Sequence, residues 1–204
     1  MNYTEIIDMA LGYADRSEAE VTSNMDSFLR IVESRVNRPL NTQKMVSRVS
    51  IESNSGQEYY GLPVDFDGLR DIEVSPVGGG KTITPKYLSP EQLNNREGKS
   101  FNDIAYAIID DQLRIHPAQS DKIIQLVYYQ NLPELSPVLH TNWLSKLYPD
   151  CYVFGLCVEI NAFVKDAEAA NMWDARFKES LASIQNNDRD TRWSGTALQV
   201  RIER

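Results

Sequence analysis

The chain has 204 residues, 42% hydrophobic and 25% charged, with 21 Lys and Arg against 29 Asp and Glu, a net charge of −8. These values exclude a wholly disordered chain and leave ample material for a core. The acidic balance argues against a broad phosphate-gripping face and against attachment to anionic membranes.

In chain order, residues 2–15 have the three-and-four apolar spacing of a helix, with Tyr3, Ile6, Ile7, Ala10, Leu11 and Ala14 on one face. Residues 15–20 form a charged break. A second helix is predicted over 24–37, capped by Asn24, with Met25, Phe28, Leu29, Val32 and Val36 as its stripe. Pro39 ends it. The period then changes to two. Short strands are predicted at 45–51, 59–62, 69–74, 81–87, 104–109, 112–116 and 122–129, separated by Gly-, Pro-, Asn- and Asp-rich turns. Asp110 and Asp111 hinge a tight hairpin. Ser89-Pro90 opens a single helical turn among the strands.

Helical periodicity returns after Pro137. The sequence predicts a short helix at 143–148, then an apolar run from Pro149 to Val164. A last helix follows over 167–187, with Ala170, Trp173, Phe177, Leu181 and Ile184 as its stripe. Residues 193–204 alternate again, Leu198, Val200 and Ile202 against Gln199, Arg201 and Glu203. The expected class is α+β. Residues 1–44 and 137–192 would form a helical bundle, 45–136 an inserted β module, and 193–204 an extended tail.

Several residue sets hint at chemistry and fall short of it. Gly78-Gly79-Gly80-Lys81-Thr82 lacks the upstream glycine and the following helix of a phosphate loop, so it reads as a turn. Asp65, Asp67 and Asp71 lack the glycine and glutamate of a calcium loop. Cys151, Cys157, His116 and His140 have no zinc-finger spacing, and no metal or cofactor is expected. A Cys-His pair would make the chain a small cytoplasmic hydrolase. Both thiols, however, lie among Tyr152, Val153, Phe154, Leu156 and Val158, an apolar setting that suits core packing better than a nucleophile. No G-x-S-x-G elbow is present. Asp110 and Asp111 read as turn residues. Nor does the acidic amphipathic start look like a secretory signal, or 151–164 like a membrane span.

A set of phrases in fixed order carries a resemblance. They are Tyr60-Gly61-Leu62-Pro63-Val64-Asp65-Phe66, Tyr87-Leu88-Ser89-Pro90-Glu91-Gln92-Leu93, Tyr106-Ala107-Ile108-Ile109 with Leu113-Arg114-Ile115-His116-Pro117-Ala118, Thr141-Asn142-Trp143-Leu144, Trp173-Asp174-Ala175-Arg176-Phe177 and Arg192-Trp193-Ser194-Gly195. From about residue 57 to 197 the chain resembles the head-to-tail adaptor (head-completion, or neck) proteins of tailed bacteriophages. The resemblance implies a structural, non-enzymatic virion protein, assembled in the host cytoplasm and placed at the neck. Copies would form a ring, typically of twelve, on the portal protein. Downstream tail proteins would bind below, and the genome DNA would pass non-specifically through the channel, with no membrane involved. It also implies that the C-terminal segment reaches the portal, which makes Trp193, Leu198, Val200, Arg201, Ile202 and Arg204 the expected portal contacts. Phe154, Val158, Trp173, Phe177 and Leu181 are the expected packing residues of the bundle or ring.

Overall fold

The structure is a computed structural model that describes residues 1–96 and 103–193. It is an α+β protein dividing into two units, one of Met1–Lys44 with the chain from Leu132 onward, the other Met45–Asn131.

The first unit is helical. Helix α1 (Tyr3–Ala14) opens with a reciprocal cap: Glu5 N donates to Asn2 Oδ1 and Asn2 N to Glu5 Oε2, both at 2.9 Å. Asp15, at φ 50°, closes it. The charged break is shorter than the sequence suggests, because α2 (Ala19–Ser23) begins inside it and buries Val21. Asn24 does sit at the N-cap of α3 (Met25–Asn37), but its side chain does not cap that helix. Its Nδ2 turns back to Glu20 O at 2.8 Å, satisfying the carbonyl end of α2 instead.

After Leu132 come α5 (Trp143–Leu147), α6 (Pro149–Phe163) and α7 (Ala167–Trp193). Helix α6 is central: α1, α3, α5 and α7 all pack on it. Cys151, Tyr152, Val153, Gly155, Leu156, Cys157, Val158 and Ile160 are all buried within the chain's own bundle, while Phe163 at the helix's last position is exposed. Helix α7 runs to Trp193, six residues beyond the 187 expected, so Trp193 ends a helix rather than beginning an extended tail. Polar side chains support the added turn. Arg192 Nε pairs with Asp188 at 2.7 Å, and Thr191 Oγ1 donates to Asn187 O at 2.7 Å.

The second unit is two sheets face to face. Strands β1 (Val46–Glu52), β3 (Phe66–Pro76) and β7 (Lys122–Gln130) form one, in the order β1-β7-β3 and antiparallel throughout. Strands β2 (Tyr59–Gly61), β4 (Lys86–Tyr87), β5 (Ala105–Ile109) and β6 (Gln112–His116) form the other, in the order β2-β6-β5-β4. Tyr60, Leu113 and Ile115 from one sheet meet Ile72, Val74, Ile124 and Leu126 from the other in a single core. On the outer face of the second sheet, α4 (Pro90–Asn94) seats Leu93 on the small side chains of Ala105 and Ala107. The expected strand 81–87 survives only as a bridge between Ile83 and Val74 and as β4, because Pro85 interrupts the ladder.

Candidate assembly surfaces

Three polar arrangements tie the helical unit together. Arg35 on α3 reaches two helices at once: Nη1 donates to Glu159 of α6 at 2.8 Å, and Nη2 to Asp174 of α7 at 2.5 Å. Its guanidinium lies 4.8 Å from the centre of the Phe177 ring. Lys178 one turn along α7, together with Arg35, holds the Asp174 carboxyl below the ordinary carboxylate range.

The second arrangement is buried. Glu33 is 3% exposed, and its Oε1 accepts from Leu135 N at 2.8 Å and Tyr152 Oη at 3.0 Å. Asn142 Nδ2 donates to the same Tyr152 oxygen at 2.7 Å and to Pro133 O at 2.8 Å. This network holds residues 132–142 to α3 and α6. Burial pushes the Glu33 carboxyl up to about 7, against the opposing pull of the Leu135 and Tyr152 hydrogen bonds. Sequence reading passed over Glu33, although it lies four residues after Leu29 on the apolar face of α3, and a carboxylate there is the visible signal. Arg35 gave no such signal, since only the tertiary fold brings Glu159 and Asp174 to it.

The third lies at the end of α7. Gln185 Nε2 donates to Pro39 O at 2.8 Å, Gln43 N to Asp188 Oδ1 at 2.6 Å, and Arg192 Nη2 to Asn41 O at 2.6 Å. Beside these contacts is a groove of about 260 Å³ floored by Ile184 and walled by Trp143, Leu147, Tyr148 and Thr42. Trp143 Nε1 and Thr42 Oγ1 are buried there without a partner. The root of the C-terminal segment is thus rigidly held.

The residues singled out from the sequence fall into separate places. Trp173 lies between Tyr13 of α1, at 5.8 Å, and Phe154 of α6, at 5.7 Å. Val158 and Phe177 are buried in the same bundle, and Leu181 is half-buried. Leu198, Val200, Arg201, Ile202 and Arg204 lie outside the described residues; Trp193 is described only as the last residue of α7.

The candidate chemistry disperses. Cys151 and Cys157 are buried, and burial pushes both thiols up to about 12. Cys157 donates to Ala10 O at 3.6 Å. Neither histidine serves them: His140 is exposed, and His116 belongs to the β unit, where its Nδ1 lies 2.7 Å from Glu58 Oε1. Asp65 accepts from the Tyr128 hydroxyl at 3.0 Å, and Asp71 accepts from Ile72 N at 2.9 Å. Gly78, Gly79 and Gly80 all have positive φ, and no helix follows them. Among the described residues no group of three or more His, Cys, Asp or Glu side chains could hold a metal ion, and no helix is long and apolar enough to cross a membrane.

What the geometry offers is a rigid bundle, a two-sheet module and an anchored C-terminal root, the parts of a scaffold. No curated protein matches the chain. The family model of the SU10 adaptor protein matches residues 1–201, so the chain belongs to this family of bacteriophage head–tail adaptors.

Proposed function

We propose that the protein forms a closed ring of copies, twelve as the resemblance implies, seated on the portal at the neck of the virion and joining it to tail components. The family match over residues 1–201 carries this reading, since it makes the chain a structural phage adaptor and a virion component. The held root of the C-terminal segment supports it. A segment anchored through Arg192 and Asp188 can transmit load from a partner into the bundle. Trp193, Leu198, Val200, Arg201, Ile202 and Arg204 are the proposed portal contacts. Exposed apolar side chains such as Ile31, Phe163 and Met172 are available to neighbouring copies. The net charge of −8 suits a channel through which DNA slides without being held.

Electron microscopy of the protein mixed with its portal tests the reading. A ring at the portal's narrow end is the expected image; a protein that stays monomeric and unattached sinks the proposal.

A further inference from the structure

Residues 132–142 belong to the helical unit but contain neither helix nor strand. A few polar bonds hold them as a strap. Leu132 N donates to Asn37 Oδ1 at 2.9 Å, Leu135 N to Glu33 Oε1 at 2.8 Å, and Tyr3 N to His140 O at 2.8 Å. Asn142 Nδ2 donates both to Pro133 O and to the Tyr152 hydroxyl. Within the strap, Ser136 Oγ accepts from Leu139 N at 2.9 Å, and Ser136 N donates to Leu139 O at 3.0 Å. That turn carries Val138, 91% exposed, and the exposed Leu139, so the strap presents an apolar point on a fixed backbone.

The hold on Leu135 depends on a proton. An ionised carboxylate has about four acceptor sites and no donor. Glu33 meets two donors, both on Oε1, while its Oε2 is buried without a partner. A buried oxygen so placed costs more charged than neutral. The ionisable groups around it leave that balance in place. Glu134 on the strap repels a second negative charge, and Arg30, exposed on α3, attracts it only weakly. On α6, Tyr152 donates its hydroxyl to the carboxyl, and the neighbouring Cys151 keeps its proton. Burial accordingly holds the Glu33 carboxyl up at about 7.

We propose that Glu33 is a proton-controlled latch on the strap. With the carboxyl protonated, Leu135 is held and the turn at 136–139 is presented in a fixed position. When the proton passes to water, residues 133–135 lift and let solvent reach Oε2. The strap yields before the helices do. Pro133 and Glu134 are already exposed, so lifting breaks the Leu135 and Pro133 bonds and uncovers the Leu135 side chain. Parting α3 from α6 would instead open the core of the bundle. The closed strap is favoured most below 4.5, the carboxyl's ordinary value. It loses ground as the pH rises to about 7 and loses no more above that. This goes beyond the adaptor reading and does not depend on it.

Amide hydrogen exchange of the full chain between pH 4.5 and pH 8, corrected for the intrinsic pH dependence of exchange, is the test. Protection at Leu135 N should fall about a hundredfold, nearly all of it by pH 7, against a ceiling of about 300-fold set by the interval from 4.5 to about 7. Low urea should leave exchange at Leu135 unchanged while speeding it at Leu156 and Ile160 in α6, because a local opening exposes little surface. Glu33→Gln should make the protection independent of pH. Tyr152→Phe removes a donor that favours the charged carboxyl, so it should move the fall to higher pH. Protection at Leu135 that does not change with pH overturns the proposal. So does a urea dependence equal to that of the α6 amides, which would make the opening global. A fall that stays in place in both variants belongs to another group and overturns it as well.

Discussion

The hydroxyl of Tyr152 on α6 donates to Glu33 Oε1 on α3 at 3.0 Å, deep in the helical unit, while Glu33 Oε2 is buried without a partner. A carboxyl so placed is costly to ionise. Its folded-state value of about 7 lies above the ordinary 4.5, so its contribution to stability is fully present below 4.5 and is lost as the pH rises through 7. The shift corresponds to up to about 3 kcal/mol. Thermal melts should show the protein less stable at pH 8 than at pH 5. Glu33→Gln keeps an acceptor for Tyr152 and removes the charge, so it should flatten that dependence. An unchanged slope in this variant would assign the pH effect elsewhere.

At Gly155, α6 leaves no room for a side chain. A Cβ there would lie 2.7 Å from Val32 Cγ1 and 3.1 Å from Phe177 Cε2. Alanine favours a helix over glycine by about 1 kcal/mol, but overpacking a filled core costs about 1–3 kcal/mol. The clash should win. Gly155→Ala is expected to lower the denaturation midpoint, and adding Val32→Ala should recover part of the loss by relieving the contact. Urea titrations of the single and double variants measure both.

Arg35 joins three helices through Glu159, Asp174 and the Phe177 ring. It is about a quarter exposed, so its pairs should contribute more than surface pairs and less than buried ones, about 1–2 kcal/mol in all. Arg35→Met keeps the aliphatic stem but takes the guanidinium away from Glu159 and leaves Asp174 to Lys178. It should destabilise the protein more at low salt than at high salt, as read from melts across ionic strength. A loss independent of salt would point to packing alone.

The two thiols report on opening of the bundle. Both are buried with values pushed up to about 12, so a thiol reagent at pH 8 should label native Cys151 and Cys157 slowly, at a rate set by unfolding rather than by reagent. Rapid labelling of either one, saturating with reagent, would revive the Cys-His reading.

Under the portal proposal, removing the residues after Trp193 should abolish attachment to the portal in a co-sedimentation assay. The circular dichroism of the bundle should be retained, because the last described contacts are made by Gln185, Asp188 and Arg192. Retained attachment would show that the tail is not the anchor.

Local pattern was enough for much of this protein. Period-3.6 stripes gave α3 and α7, period-2 runs gave β1, β5, β6 and β7, and Ser89-Pro90 gave the cap of α4, because each reflects an exchange between a residue and its nearest chain neighbours. The apolar run of α6 also announced a helix enclosed on all sides. The sequence did not disclose what enclosed it. Only packing decided that α1, α3, α5 and α7 bury α6 within one chain, that Glu33 shares a hydrogen-bond network with residues more than a hundred positions away, and that Arg35 closes on Glu159 and Asp174. That β1 ends its sheet among the described residues belongs to the same class. Alternation along residues 46–52 marks a strand, but whether a strand is central or at the edge depends on which distant segments pair with it, and that is set by the whole sheet.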